Sequence, residues 1–238
     1  MSEILKINDL WGGYQEGVDI LRGISLEVRQ GEAVGIIGLN GSGKSTLGKA
    51  IMNMIPFRRG EIVFEGKDIT TLKTNELSRR GISIMQQGGK VFPNLSVWDN
   101  LQLASKKSQL STLNSQLTEV IPLLQSSKRE LQRQMADKLS GGQKHQLSLA
   151  MTLATHPRLV ILDEPSAGLS PKAVEEMYQM LRAIRERLGI TIILIEQNIA
   201  KAVEFCEKCL LIQQGGIVYS SNSLEELEKI MFNITEDV

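Results

Sequence analysis

The sequence has few of the features that mark several common classes of protein. Its 238 residues include 27 Lys and Arg against 27 Asp and Glu, so no basic excess favours nucleic acid as a partner. No apolar run approaches the roughly 20 residues that a membrane-spanning helix needs. The first six residues lack the basic and then apolar build of a signal peptide. We therefore expect a cytosolic protein that reaches a membrane only through a partner.

Cysteine and histidine are also scarce, with two residues of each. Cys206 and Cys209 lie in a C-x-x-C spacing, which could serve a redox or a zinc site. No second cysteine pair or histidine cluster accompanies them, and His145 and His156 are far away in the sequence. We therefore predict that the cysteines are structural and that neither histidine binds a metal.

The most informative stretch runs from Gly38 to Thr46 and contains three glycines followed by Lys-Ser-Thr. It follows an apolar run, Ala33 to Ile37, that predicts a buried strand. It precedes Leu47 to Ile55, which we interpret as a helix. A strand, a glycine-rich loop and a helix in this order are the context of a P-loop, or Walker A motif. That context disfavours a chance match to the pattern.

The chemistry of such a loop follows from its residue types. Glycines allow consecutive backbone N–H groups to turn towards phosphate oxygens, and the helix that follows adds the positive end of its dipole. Lys44 would bring its charge to the β- and γ-phosphates, and the Ser45 hydroxyl would be a ligand of Mg²⁺. The predicted nucleotide-binding residues of the loop are Gly38, Leu39, Asn40, Gly41, Ser42, Gly43, Lys44, Ser45 and Thr46.

A second feature is a pair of acids, Asp163 and Glu164, at the end of the apolar run that begins at Leu159. An acid at the tip of a buried strand, downstream of a P-loop, is the Walker B arrangement. Asp163 is then expected in the Mg²⁺ shell, directly or through water, and Glu164 could polarise the attacking water. The alternative is an exposed strand end, where acids are common.

A third feature is Leu139 to Gln143, with the sequence LSGGQ, directly before a helical run from Lys144 to Leu153. A serine and two glycines at a helix N-terminus can form an anion site. The chain would then hold two phosphate-binding helix ends, and two copies could close around two ATP molecules. The residues alone leave a simple glycine-rich loop equally open.

The order of elements predicts an α/β fold with a mostly parallel, doubly wound sheet. We expect an α/β core over 1–89 and 157–238 and a helical insertion over 90–156, in which Pro122 bends or ends a helix. One face of that helix is expected to hold Leu113, Leu117, Val120, Ile121 and Leu124. The other expected strands are 4–10, 20–28, 60–64, 82–85, 159–164, 191–196, 210–212 and 216–219. The other expected helices are 75–80, 171–188, 223–230 and one that begins at 198, and 128–138 is expected to be a helix or a linker.

The three motifs in this order resemble those of the ATP-binding cassette (ABC) transporter ATPases, and the resemblance covers essentially the whole chain. It implies a P-loop NTPase core with helices on both faces of the sheet and an additional antiparallel β portion. It also implies ATP and Mg²⁺ as nucleotide and cofactor.

The family's further site residues can be placed on matching positions. Tyr14 matches the aromatic residue that stacks on adenine, and Gln87 matches the Q-loop glutamine, which contacts the metal and the membrane subunit. Ser140 to Gln143 would reach the γ-phosphate of ATP bound to the partner copy. Ser166 to Ser170 matches the D-loop, which crosses the dimer interface. The resemblance thus implies Glu164, Gln197 and Gln87 as catalytic residues and Ser45, Gln87 and Asp163 as metal ligands.

One position departs from the family pattern, because Gln197 stands where a switch histidine is usual. Glutamine can donate to the γ-phosphate but cannot become charged. Glu196-Gln197-Asn198, together with Gly88 to Val97 after the Q-loop, resembles the ATPases of branched-chain amino acid importers and their urea-type relatives.

The resemblance implies a second ATPase copy or a sister ATPase, transmembrane permease subunits and, indirectly, a solute-binding protein as partners, with no nucleic acid. The chain would lie on the inner face of the cell membrane. Alternatives are another ABC transporter ATPase for urea-type import or lipid export, a soluble ABC protein of DNA repair or translation, and a P-loop kinase or GTPase. A nucleotide-binding regulator with weak turnover, suggested by Gln197, also stays open.

Overall fold

The computed structural model describes residues 2–105 and 116–233, apart from the side chains of 116, 232 and 233. Its contacts divide the chain into two compact units. Unit 1 comprises Met1–Leu77 and Thr191–Val238, and unit 2 comprises Ser78–Ile190. Among the described residues, no helix is both long and apolar enough to cross a membrane.

The described elements are numbered in chain order. The strands are β1 Glu3–Gly13, β2 Leu21–Arg29, β3 Ala33–Ile37, β4 Phe57–Phe64, β5 Lys67–Asp68, β6 Ile82–Met85, β7 Leu159–Asp163, β8 Thr191–Glu196, β9 Lys208–Gln213 and β10 Gly216–Ser221. The helices are α1 Lys44–Ile51, α2 Thr74–Arg79, α3 Val97–Ala104, α4 Gln116–Val120, α5 Lys128–Arg133, α6 Gly141–Leu153, α7 Pro171–Leu188, α8 Ile199–Phe205 and α9 Leu224–Asn233, with 3₁₀ turns at Pro122–Gln125 and Ala136–Lys138.

Unit 1 contains an antiparallel sheet of β1, β2, β4 and β5, with β1 paired to both β2 and β4. Along β2 the buried residues Leu21, Ile24, Leu26 and Val28 are separated by exposed or half-buried ones. This near-alternation is typical of a strand with one face against a core and one face towards solvent. The predicted antiparallel portion is therefore confirmed.

Unit 1 also contains the strands that position the phosphate loop. β3 lies between β8 and β9 and is parallel to both, while β10 pairs antiparallel with β9. Every residue of β3 and β8 is buried, as expected of parallel strands covered on both faces. The carboxyl ends of β3 and β8 meet at one edge, where Ile37 pairs with Glu196.

Unit 2 combines a parallel pair, β6 and β7, with helices that pack on one another, including α3 with α6 and α4 with α7. The helix α7 has the predicted bounds. Its buried residues are Met177, Tyr178, Met180, Leu181 and Ile184, whereas Val174 and Leu188, which the predicted stripe also included, are half-buried.

The structure changes the predicted bounds of two helices in the chain. The helix after the phosphate loop begins at Lys44 rather than Leu47 and ends at Ile51, since Asn53 adopts a left-handed φ of 52°. The helix before Pro122 ends at Val120, and Pro122 opens a 3₁₀ turn. Leu113 lies outside the described residues. The division into 1–89 with 157–238 and a helical insertion over 90–156 stays a prediction.

Candidate functional site

The loop after β3 has a conformation that requires glycine at its start. Gly38 has a φ of 152°, and a Cβ at this position would come within 2.3 Å of the Ile212 carbonyl oxygen. Gly43 is left-handed, with a φ of 108°, and forms the N-cap of α1 without a side-chain cap. The first turn of α1 contains no acidic residue. The helix start therefore offers backbone N–H donors and positive potential to an anion.

Lys44 and Ser42 complete the polar lining of this loop. The Lys44 side chain is 4% exposed, and its Nζ donates to the carbonyl oxygens of Gly38 at 2.8 Å and Leu39 at 2.9 Å. The Ser42 Oγ is buried and has no hydrogen-bond partner among the residues that the structure describes. Buried hydroxyls are usually hydrogen-bonded, so the Ser42 hydroxyl is available to an oxygen of a bound water or ligand. Ser45 lies half-buried in the first turn of α1.

Tyr14 lies beside the helix that the phosphate loop begins. Its ring follows β1 and is 42% exposed. The Nζ of Lys49 on α1 lies 5.8 Å from the ring centroid. An exposed ring near the loop fits the predicted role as a platform for a flat base. The sequence pattern did not single out Lys49, because its closeness to Tyr14 depends on the packing of β1 and α1.

Gln197 lies at the same sheet edge as the phosphate loop. Ile37 pairs with Glu196 across β3 and β8, so Gly38 and Gln197 are the next residues of the two strands. The buried Glu196 carboxylate accepts the N–H groups of Gln197 at 3.1 Å and Asn198 at 3.4 Å. Asn198 in turn caps α8 by accepting the N–H of Lys201 at 3.1 Å. The backbone of Gln197 is therefore fixed by its neighbours while its side chain is exposed.

In unit 2, the structure brings Gln87 and Glu164 into direct contact. Met85 pairs with Leu162 in the parallel register of β6 and β7, so Gln87 and Glu164 both lie two positions beyond this pair. Gln87 Nε2 donates to Glu164 Oε2 at 2.5 Å. Asp163, the last residue of β7, is 3% exposed. Glu164 has a φ of 46°, a left-handed conformation that costs a residue with a side chain about 1–3 kcal/mol and is common at functional sites.

The LSGGQ segment forms a reciprocal cap at the start of α6. The Ser140 Oγ accepts the N–H of Gln143 at 3.3 Å, and the Gln143 Oε1 accepts the N–H of Ser140 at 3.0 Å. Leu139 is buried and anchors the segment. The predicted cap is thus a capping box, in which the glutamine is as much a part of the helix start as the serine.

Packing among the residues that the structure describes does not require the two glycines of this segment. A Cβ at Gly141 would meet nothing within 4 Å, and one at Gly142 would meet only the Ala173 Cβ at 3.9 Å. Glycine is less favourable than alanine in a helix by about 0.5–1 kcal/mol. Packing among the described residues therefore does not explain why these two positions are glycine.

The predicted D-loop and the LSGGQ segment line one open depression. Gly168 and Ser170 face it together with Ser140, Gly141, Gly142 and Gln143. Ser170 also caps α7, since its Oγ accepts the N–H of Ala173 at 3.4 Å. The structure thus brings two predicted interface segments to one surface of unit 2.

The cysteine pair packs against β3. Both thiols are reduced and buried, and a Cβ at Gly35 would come within 2.6 Å of the Cys209 Sγ and 3.4 Å of the Cys206 Sγ. A hydrogen bond from Cys206 lowers the pKa of the Cys209 thiol below its ordinary value. This location agrees with the structural role that we predicted.

Known proteins resemble this chain over most of its length. It is 30% identical over 231 residues to the lipopolysaccharide export system ATP-binding protein LptB of Acidithiobacillus ferridurans, covering 97% of this chain and 95% of that protein. It is 31% identical over 235 residues to the probable branched-chain amino acid transport ATP-binding protein LivF of Archaeoglobus fulgidus, covering 98% and 96%. It is 32% identical over 205 residues to the high-affinity branched-chain amino acid transport ATP-binding protein BraG of Pseudomonas aeruginosa, covering 86% and 87%.

A solved structure and a family pattern also identify ABC transporter proteins as similar to this chain. A nucleotide-free ATP-binding cassette from an ABC transporter superposes with a TM-score of 0.81 at 26% identity, over 97% of this chain and 96% of that one. The fold predicted as a P-loop NTPase core is therefore confirmed. Residues 21–167, more than half of the chain, match the family described as ABC transporter. The chain therefore belongs to the ABC transporter ATP-binding subunits, and it is an ATPase.

Proposed function

We propose that this ATPase subunit powers the import of branched-chain amino acids. It would lie on the cytoplasmic face of the membrane, bound to permease subunits that receive the solute from a binding protein. The proposal rests on the segment Glu196-Gln197-Asn198 after β8. An uncharged glutamine stands there where a histidine is usual, and the Glu196 carboxylate fixes its backbone. The names of the relatives LivF and BraG support it.

ATP would bind to unit 1 through the phosphate loop, with its adenine on Tyr14. Lys44 and the N-terminus of α1 supply positive potential for the phosphates, and the buried Ser42 hydroxyl is available to a phosphate oxygen. Gln197 at the neighbouring strand end would donate its amide N–H to the γ-phosphate. Because glutamine has no charge to lose, this contact would be insensitive to pH near neutrality.

The proposed Mg²⁺ ligands are Ser45 of unit 1 and Gln87 and Asp163 of unit 2. Together these residues offer a hydroxyl, an amide and a carboxylate oxygen, the hard donors that this ion prefers, so the donor set fits the ion. When bound, the ion would neutralise charge on the phosphates.

Glu164 is proposed as the base that accepts a proton from the attacking water. In the described state its Oε2 accepts the Gln87 amide at 2.5 Å, so that oxygen is already occupied. Withdrawal of Gln87 would remove this hydrogen bond from Oε2. Base catalysis of this kind typically contributes about 10²–10⁴ in rate. The contact therefore suggests that Gln87 controls when Glu164 can act.

Two ATPase copies, or this chain with a sister ATPase, would close on the nucleotides. The absence of side chains at Gly141 and Gly142 supports this arrangement, since packing among the described residues does not require glycine there. Their backbone N–H groups at the start of α6 would then reach the γ-phosphate bound by the other copy.

A second candidate function is lipid export. The relative LptB is almost as similar as LivF and covers the chain equally well. Its printed name assigns that protein to lipopolysaccharide export. The two candidates share the ATPase chemistry and differ in the permease and solute.

The test is the uptake of radiolabelled leucine, isoleucine and valine by cells that lack the gene. The wild-type chain should restore uptake, and the Glu164→Gln variant should not, because an amide cannot take the proton of water. Uptake of glucose serves as the control and should be unaffected. Normal leucine uptake in the deletion strain, combined with lipid retained in the inner membrane, would instead support the second candidate.

A further inference from the structure

His145 is a buried histidine that the proposed reaction does not use. It lies on α6, one turn after Gly141, and is 6% exposed. Its Nδ1 is 3.0 Å from the Gly141 carbonyl oxygen. A carbonyl can only accept, so the Nδ1 must carry the proton and the Nε2 is left as an acceptor. That Nε2 is buried and has no hydrogen-bond partner within the described part of the chain.

The same ring also lies against the turn that contains Gly88 and Gly89, directly after Gln87. Gly88 and Gly89 are both left-handed, with φ values of 86° and 57°. A Cβ at Gly89 would come within 3.0 Å of the His145 Nδ1 and 3.1 Å of its Cγ, so the Gly89 backbone lies directly against the ring. A Cβ at Gly88 would meet nothing within 4 Å.

One imidazole ring therefore joins two functional segments of unit 2. Its Nδ1 is bonded to the first turn of the LSGGQ helix, and the ring also lies against Gly89 in the Gly88–Gly89 turn. That turn directly follows Gln87, whose side-chain amide donates a hydrogen bond to the Glu164 carboxylate. The bond between Nδ1 and the Gly141 carbonyl lies within the first turn of α6, so a movement of this turn would carry the ring with it.

We infer that His145 is a positioning residue that sets the placement of Gln87 against Glu164 according to the position of the LSGGQ helix. Contact of Gly141 with a nucleotide on the partner copy would move the ring, and the ring would move the turn that bears Gln87. The inference rests on the proposed role of Gln87 and is independent of the transported solute.

The test is a double-mutant cycle in the full-length protein, with ATPase activity as the readout. Alanine at Gly88 or Gly89 introduces a Cβ at a left-handed position, so backbone strain is common to both. Only the methyl group at Gly89 meets His145. Gly89→Ala should lower kcat by roughly tenfold more than Gly88→Ala, with the KM for ATP unchanged because the phosphate loop is untouched.

The coupling appears when each change is combined with His145→Ala. In that background Gly89→Ala should lower kcat by no more than Gly88→Ala does, because only the shared backbone strain remains, whereas the effect of Gly88→Ala should multiply with that of His145→Ala. Multiplicative effects at both glycines would overturn the inference. So would a folded His145→Ala variant with wild-type kcat.

Two conservative variants separate positioning from general packing. His145→Asn can keep a donor to the Gly141 carbonyl and should recover most of the kcat that His145→Leu loses, while thermal denaturation monitors folding of both. Equal loss in the two variants would contradict the role of the hydrogen bond. Gln87→Ala is measured beside them. If it leaves kcat unchanged, the proposed role of Gln87 fails, and that result is distinct from an absence of coupling between Gly89 and His145.

Discussion

At the scale of single residues, two glycines differ in what a methyl group would meet. At Gly35 a Cβ would lie 2.6 Å from the Cys209 Sγ, so the interior of unit 1 requires glycine there. At Gly142 a Cβ would meet only the Ala173 Cβ at an ordinary 3.9 Å. Packing explains the first glycine, and packing among the described residues does not explain the second.

We predict that Gly142→Ala keeps the stability of the protein and removes most of its ATPase activity. The added methyl group has room in the chain, and alanine favours the helix, but it would obstruct a phosphate approaching the N–H groups of α6. Differential scanning calorimetry and steady-state ATP hydrolysis are the measurements.

Gly35→Ala is the matched control and should show the opposite result. Overpacking against Cys209 should lower stability by about 1–3 kcal/mol. A stable Gly142→Ala variant with full ATPase activity would show that nothing approaches the LSGGQ helix closely.

Several site residues were predictable from the sequence because their signal is local. The phosphate loop and Asp163-Glu164 are defined by residue type and by the strand before them. The contacts of His145 with Gly89 and of Lys49 with Tyr14 join segments distant in sequence. No local pattern shows such contacts. The burial of the His145 Nε2 without a described hydrogen-bond partner can be recognised only from the packing around it.

At the scale of elements, two helices of unit 2 start with the same local device. Ser127 and Glu130 form a capping box at α5, and Ser140 and Gln143 form one at α6. Only the second box lines the depression shared with the predicted D-loop. Comparing the two capping boxes therefore distinguishes the contribution of a helix cap to stability from a contribution to catalysis.

We predict that Ser127→Ala and Ser140→Ala lower stability by similar amounts, about 1 kcal/mol for the loss of a serine cap. Only Ser140→Ala should also reduce ATP hydrolysis, since only α6 is proposed to contact a nucleotide. Urea denaturation and ATPase assays on both variants give the comparison. Equal activity losses would show that the effect of Ser140 is no more than that of a helix cap.

The two boxes should also differ in their response to acid. Hydrogen bonds from the Ser127 hydroxyl and N–H hold the pKa of Glu130 below its ordinary value of 4.5. A depressed carboxyl pKa stabilises the folded state above the ordinary value, and this stabilisation is lost as pH falls through the folded pKa. The difference between wild type and Ser127→Ala should therefore shrink in acid. The difference for Ser140→Ala should not, because Gln143 does not titrate.

Element prediction succeeded where apolar periodicity was strong and failed where backbone conformation decided the boundary. The bounds of α7 and β8 follow from their apolar patterns and from Pro171 at the first helical position. The helix α1 starts in the polar Lys-Ser-Thr run, because the left-handed Gly43 lies directly before it. The strand β5 has only two residues, too few for a periodic signal.

At the scale of the whole molecule, each copy has two helix starts suited to phosphate. One begins α1 at Lys44, and the other begins α6 after Ser140. In the proposed arrangement each nucleotide is held by α1 of one copy and α6 of the other. The isolated chain would then be an incomplete enzyme, and its association should depend on ATP.

We predict that the Glu164→Gln variant forms dimers with ATP and Mg²⁺ and stays monomeric without nucleotide. Loss of the carboxylate slows hydrolysis, so intact ATP remains to hold two copies together. Adding Lys44→Ala or Gly142→Ala to this variant should abolish the dimers, since each change damages one half of every shared site. Sedimentation velocity distinguishes monomer from dimer directly.

Mixing the two double variants provides the decisive measurement. A mixed pair contains one site with both defects and one site in which Lys44 of one copy meets Gly142 of the other, both intact. Dimers should therefore reappear in the mixture although neither double variant forms them alone. If each copy instead used its own LSGGQ segment, every site in the mixture would contain one defect, and only monomers would sediment.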